Sequence, residues 1–247
     1  MGEVKRLRII AGPNGSGKTS LYWDLRKKGH PQLGIYLNPD IIEETLKTKG
    51  VISFSDFSVE FLDDELCGSF RSFLKDRKSA VSEQDFRVDD NFLVILNRGA
   101  VDSYFAAFVV EQIRDKMLSV GIPTITIETV MSHKSKLEMI ARARELGYRV
   151  YLYYISTSSP MINQERVKAR TKLGGHDVPA DKLLSRYDRS LDLLYDAIKM
   201  SDRAFLIDNS TKIQEVVAEY ERETNSMRLY SEDCPDWVAR YFFDKDS

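Results

Sequence analysis

The run Ala11-Gly12-Pro13-Asn14-Gly15-Ser16-Gly17-Lys18-Thr19 carries the densest chemistry in this chain. From Gly12 it fits the spacing G-x-x-x-x-G-K-[ST], the P-loop. Glycines in such a loop let successive backbone N–H groups turn toward one point and form a concave anion nest. A helix starting at the end of the loop adds the positive end of its dipole. Lys18 can then reach the β- and γ-phosphates of a nucleotide, and the Thr19 hydroxyl can hold Mg²⁺. The motif predicts nucleotide contacts from Gly12, Pro13, Asn14, Gly15, Ser16, Gly17, Lys18, Thr19 and Ser20. The bland alternative is a glycine-rich turn beside an exposed lysine. The flanking sequence argues against it: Leu7-Arg8-Ile9-Ile10 reads as a buried strand and Ser20–Lys28 as a helix, the context the motif requires.

Other residues fall where they can serve a phosphate site. Asp40 follows the short apolar run Ile35-Tyr36-Leu37. A carboxylate beyond a strand end can accept the proton of a hydroxyl that attacks a γ-phosphate. The same stretch, Asn38-Pro39-Asp40-Ile41-Ile42-Glu43, also reads as a helix start in which Asn38 or Asp40 is merely the cap. Spacing alone leaves the two readings level. Glu128 closes the β-branched run Pro123–Glu128, where it can bind sugar hydroxyls, hold a Mg²⁺-bound water, orient an acceptor or simply mark the strand end. Arg166 and Arg170 share a helix face ahead of Gly174-Gly175, as in a lid whose arginines stabilise a transferring phosphoryl group; a solvated basic face has the same spacing. His176 beside Asp177 makes no metal site, and Asp177 reads as a helix cap before Pro179. His30 and His133 read as surface residues.

Short apolar runs alternating with helical patterns predict an α/β fold: a P-loop NTPase-type parallel sheet with helices on both faces, kinase-like, with an insertion after the second strand. Strands are expected at about 7–11, 35–37, 123–128, 149–155 and 204–207, and helices at about 18–28, 104–119, 134–146, 160–172 and 180–199. Residues 50–102 are rich in Phe and acidic side chains without a clean period and read as the insertion, with 91–97 as an extra strand. Residues 211–247 read as a C-terminal extension carrying an edge strand and a turn at Asn225-Ser226. The expectation is a single kinase domain over 1–247.

Composition narrows the classes. The 247 residues carry 36 basic and 38 acidic side chains, a net charge of −2, so no basic excess points to nucleic acid. No stretch approaches the roughly 18 apolar residues of a membrane span. The N-terminal residues lack the apolar core of a signal peptide, and Arg6 stands where myristoylation needs Ser or Thr. Cys67 and Cys234 are far apart and match no metal spacing, which suits a reducing cytoplasm.

Taken in order, Gly12–Thr19, Leu37-Asn38-Pro39-Asp40, Ile127-Glu128-Thr129, Gly147-Tyr148-Arg149-Val150, Glu165-Arg166-Val167, Gly174-Gly175-His176-Asp177-Val178-Pro179 and Asp208-Asn209-Ser210 resemble the zeta toxin family of P-loop kinases. The resemblance covers about 7–210 apart from 50–102. It implies an ATP- and Mg²⁺-dependent phosphotransferase similar to UDP-N-acetylglucosamine kinases, whose acceptor is a hydroxyl of a UDP-N-acetyl amino sugar and which a cognate antitoxin blocks. By the residue-by-residue match, Asp40 falls on the catalytic base, Lys18 on the phosphate-binding lysine, Glu128 (with Thr129) on the substrate contacts, and Arg166 on a phosphate-contacting arginine. The chain departs from some relatives at Val130 and at His176, where an arginine stands nearby in some toxins; Arg170 or Arg186 is then the second phosphate arginine. The departures leave ATP handling intact and the acceptor open. Alternatives of the same and of another class are a kinase of another metabolite without a toxin role, and a nucleotide-dependent switch or binding module acting through a partner protein.

Overall fold

A computed structural model describes residues 4–29, 33–76, 79–172, 179–230 and 233–246. The chain begins β1 (Arg6–Ala11), α1 (Lys18–Lys27), β2 (Ile35–Leu37), α2 (Pro39–Thr48), β3 (Val51–Ser53), α3 (Asp63–Asp76), β4 (Phe86–Asp89) and β5 (Phe92–Ile95). It continues through α4 (Ser103–Val120), β6 (Thr124–Thr129), α5 (Ser135–Glu145), β7 (Arg149–Ser156), α6 (Pro160–Lys172), α7 (Ala180–Asp192) and α8 (Leu194–Met200). It closes with β8 (Arg203–Asp208), β9 (Glu215–Glu221), β10 (Ser226–Leu229) and short helical turns over 236–246. The elements fall into two compact units, 1–34 with 123–247, and 35–122.

The first unit is a mainly parallel α/β sheet in the order β10-β9-β8-β7-β1-β6. Its centre, β1, buries Leu7, Ile9, Ile10 and Ala11, and Arg8 among them, as in a strand covered on both faces. β6, β1, β7 and β8 are parallel, while β9 and β10 add antiparallel at the edge. Ile10 lies opposite Glu128, Ala11 opposite Tyr154, and Ser156 opposite Asp208. Parallel pairing therefore brings the ends of four strands to one edge, where α/β sheets bind ligands. The expected β9–β10 turn is present, with Asn225 at φ +47°. The helix expected at 180–199 is broken instead: α7 ends at Asp192 and α8 starts at Leu194, and Lys245 Nζ takes the carbonyl of Asp192 at 2.9 Å. Neither Gly nor Pro stands at the break to announce it.

The second unit contains the stretch expected as an insertion. Its small antiparallel sheet runs β3-β5-β4. The β4–β5 hairpin turns through Asp90 and Asn91, both at positive φ, as a tight primed turn demands. Phe70 meets Phe86 and Phe105 edge-on, at ring-centroid distances of 5.2 and 5.3 Å, and anchors an aromatic core. Asp102 caps α4 by accepting from the Phe105 N–H at 2.8 Å. Strands of three or four residues, with 3₁₀ turns at 54–57 and 83–85, are too short to show a period, which is why this region reads poorly as sequence.

Among the described residues no helix is long and apolar enough to cross a membrane. His30 and the Gly174–Val178 part of the glycine motif lie outside the described residues.

Candidate functional site

The site grows from the end of β1. Gly12 sits at φ +141°, and a Cβ there would stand 2.0 Å from the carbonyl oxygen of Ile155 in β7. Only glycine lets the chain leave the sheet this close to a neighbouring strand. The Ser16 N–H donates to the Pro13 carbonyl at 3.3 Å and closes the turn. α1 then begins at Lys18, capped by Gly17 in a left-handed conformation, so its N-terminus faces the loop.

Lys18 is buried, and its Nζ folds back to donate to the Pro13 carbonyl at 3.0 Å. Its charge therefore sits over the loop rather than in solvent. Thr19 Oγ1 lies 3.0 and 3.1 Å from the two carboxylate oxygens of Glu128 and donates to them. Glu128 is 7% exposed and stands beside Ile10, just before the loop. A buried carboxylate held against the P-loop hydroxyl joins two hard oxygen donors. This narrows the options for Glu128: it faces the Thr19 hydroxyl. Among the described residues no group of three or more His, Cys, Asp or Glu forms a metal cluster.

The other expected residues are distributed unevenly. Arg166 in α6 donates from Nη2 to the carbonyl of Thr211 at 3.0 Å, which ties α6 to the loop after β8. Arg170 lies one turn further along α6 and is exposed. Thr129 Oγ1 accepts from the Met131 N–H at 3.2 Å and shapes the turn after β6. Ser20 is exposed on the first turn of α1. Asp40 belongs to the second unit, as the second residue of α2. There Asn38 is the cap, its Oδ1 accepting from the Asp40 N–H at 2.8 Å. The capping role is thus taken by Asn38, and the exposed Asp40 carboxylate is spared from it. His133 is exposed, as expected, and pairs locally with Ser135 Oγ at 2.9 Å.

Several atoms around the loop were not anticipated from sequence. Asn209 Nδ2 donates to the Ser16 carbonyl at 2.7 Å, and Gln214 Nε2 to the Gly17 carbonyl at 3.3 Å. Asn209 was visible only as part of a motif at a strand end, and nothing singled out Gln214. Asn163 is buried at 2% exposure, accepts from Thr157 Oγ1 at 2.6 Å, and its backbone abuts Gly15. Asn14 Oδ1, Ser16 Oγ, Asn163 Nδ2 and Arg166 Nη1 are buried and make no hydrogen bond within the described residues. Buried polar atoms are costly to leave unpaired, so this concentration on the P-loop and on α6 suits a polar ligand. Behind Asn163, Tyr187 donates to the Thr157 carbonyl at 2.6 Å, and burial pushes its phenol above the ordinary range.

The AAA_33 family, described as an AAA domain, matches residues 7–191. An uncharacterized protein of Haemophilus influenzae is 37% identical over 68 residues, which is 28% of this chain and 46% of that relative. The structure of AvrRxo1-ORF1:-ORF2 with ATP superposes with a TM-score of 0.56 at 17% identity, over 93% of this chain and 61% of that one. The PezAT chromosomal toxin-antitoxin system of Streptococcus pneumoniae gives 0.53 at 14% identity, over 98% and 80%. The chain thus spans under half of its curated relative and about three-fifths of the AvrRxo1 chain. At these identities the structural likeness is one of fold, and the expected P-loop α/β fold is the fold found. The match over 7–191, with its glycine loop leaving β1 and opening α1, places the chain in the AAA_33 family of P-loop AAA domains.

Proposed function

We propose that this chain is an ATP-dependent phosphotransferase of the zeta toxin type, with a hydroxyl of a UDP-N-acetyl amino sugar as acceptor. The observation that carries the reading is the Thr19–Glu128 pair beside a glycine nest crossed by the Lys18 ammonium. Thr19 and Glu128 supply the oxygen donors that suit Mg²⁺; bound there, the ion would neutralise charge on the phosphates. The P-loop amides and Lys18 bind the β- and γ-phosphates. Arg166, with Arg170 as second arginine, stabilises charge on the transferring group. Asp40 takes the proton of the acceptor hydroxyl as its oxygen bonds to the γ-phosphorus and the bond from that phosphorus to ADP breaks. Thr129, next to Glu128, contacts the acceptor.

The ATP in the AvrRxo1-ORF1:-ORF2 structure supports the choice of nucleotide. The toxin-antitoxin pairing of PezAT supports an antitoxin as protein partner. The test is mass spectrometry of a metabolite extract, and of UDP-N-acetylglucosamine alone, incubated with the protein and Mg²⁺·ATP. A UDP-sugar that gains one phosphoryl group is the expected product, and no phosphorylated product in either sample would overturn the kinase reading. Asp40→Ala is expected to abolish transfer while ATP affinity stays within about twofold. Near-normal turnover in that variant removes the base role from Asp40.

A further inference from the structure

Residues 209–214 join β8 to β9 and reach the P-loop through a pair of side-chain amides. Asn209 Nδ2 holds the Ser16 carbonyl at 2.7 Å, and Gln214 Nε2 holds the Gly17 carbonyl at 3.3 Å. A peptide group is planar, so fixing its carbonyl fixes the N–H on the other side of the bond. The Ser16 carbonyl shares its plane with the Gly17 N–H, and the Gly17 carbonyl shares its plane with the Lys18 N–H. These are the amides that a phosphate nest has to aim. Gly17, at φ +102°, has no side chain to restrict its rotation. Its carbonyl also accepts from the Leu21 N–H of α1 at 3.0 Å, so Gln214 adds a second donor there, while Asn209 holds the Ser16 carbonyl from outside the loop and the helix. The fit is close: a Cβ on Gly17 would stand 2.4 Å from Asn209 Nδ2 and 3.0 Å from Gln214 Nε2.

The anchor is itself held. Asn209 is 8% exposed, and its N–H donates to the Ser156 carbonyl at 2.8 Å, which pins it to the end of β7. The adjacent Asp208 accepts from the Ser210 N–H at 3.0 Å, from Ser210 Oγ at 2.9 Å and from Trp237 Nε1 at 2.8 Å. Asn209, Gln214 and Trp237 all lie beyond residue 191, outside the family match.

We infer that Asn209 and Gln214 are positioning residues that pre-orient the Gly17 and Lys18 amides for phosphate, with Trp237 and Asp208 steadying them. The inference rests on the phosphate-binding reading above. Its physical content is pre-organisation: amides already aimed do not lose freedom when the ligand binds.

The test measures Mg²⁺·ATP affinity by calorimetry and P-loop amide exchange in the protein without nucleotide. Asn209→Asp keeps the shape but sets a carboxylate oxygen against the Ser16 carbonyl. It is expected to weaken ATP binding by about tenfold, the loss of roughly one good hydrogen bond. Gln214→Leu removes the second donor and is expected to weaken binding about threefold. Both variants should accelerate exchange at the Gly17 and Lys18 amides, while amides in the central strands exchange as in the wild type. Wild-type protein that fails to bind ATP overturns the phosphate reading and this inference together. Wild-type binding matched by Asn209→Asp, with unchanged exchange, overturns this inference alone. Should Asn209→Asp fail to fold, Gln214→Leu decides: wild-type affinity and exchange in that variant overturn the inference.

Discussion

Glu128 and Asp40 are both acidic residues beyond or near a strand end, yet their surroundings separate them. Glu128 is buried against the Thr19 hydroxyl, so its charge is tied to the loop that would carry the nucleotide. Glu128→Gln keeps the shape and a hydrogen-bond acceptor for Thr19 but removes the charge. It is expected to lower Mg²⁺-dependent phosphoryl transfer by about a hundredfold. Folding stability should hold or rise, because a buried charge is lost. Steady-state rates over a Mg²⁺ titration, with a thermal melt beside them, check this; wild-type rates would remove Glu128 from the reaction. Asp40 is exposed, and the cap it was a candidate for is supplied by Asn38. Asp40 is the acidic residue of the first turn of α2, suited to the helix dipole, and its carboxylate is not taken up as the cap; the Asp40→Ala experiment tests it for chemistry.

At the scale of elements, the P-loop is shaped by what surrounds it as much as by its own residues. Ile155 from β7 closes on Gly12, the backbone of Asn163 from α6 on Gly15, and Asn209 from the end of β8 on Gly17. Gly12→Ala would drive a methyl group to 2.0 Å from the backbone oxygen of Ile155. It is expected to abolish ATP binding and to destabilise the fold by about 2 kcal/mol or more. Gly68→Ala, on α3 where an added Cβ meets nothing within 4 Å, should leave nucleotide binding intact and raise stability by up to about 1 kcal/mol. Chemical denaturation and ATP titration of the two variants test the contrast, and equal behaviour would contradict it.

At the scale of the molecule, the first unit buries an unusual tyrosine set. Burial raises the phenols of Tyr153, Tyr154 and Tyr187 above their ordinary range and pushes Tyr148 up to about 12. An unfolded tyrosine loses its proton near pH ~10, while the folded ones hold theirs to higher pH. Above that point the unfolded chain binds fewer protons than the native one, so stability falls as pH rises. Below it the contribution is constant. The urea midpoint is therefore expected to be flat from about pH 7 to 9 and to drop above about pH 10, with tyrosinate absorbance appearing as the protein unfolds. A flat midpoint through pH ~11 would show that these phenols titrate normally in the folded state.

Sequence by itself determined what depends on local chemistry. Gly12–Thr19, the apolar run before it and the helix after it were legible because the loop needs those residue types at that spacing. The central strands were legible because parallel strands buried on both faces are short runs dominated by apolar and β-branched residues. Sequence could not resolve the 50–102 stretch, where strands of three or four residues show no period, nor the break between α7 and α8, which no Gly or Pro marks. Tertiary structure alone decided which of Asn38 and Asp40 caps α2, that Glu128 faces Thr19, and that Asn209 and Gln214 grip the P-loop backbone from 193 and 197 positions away. Those are contacts between side chains and backbone brought together by strand pairing and loop closure. A carboxamide aimed at a distant carbonyl leaves no spacing in the chain that would reveal it.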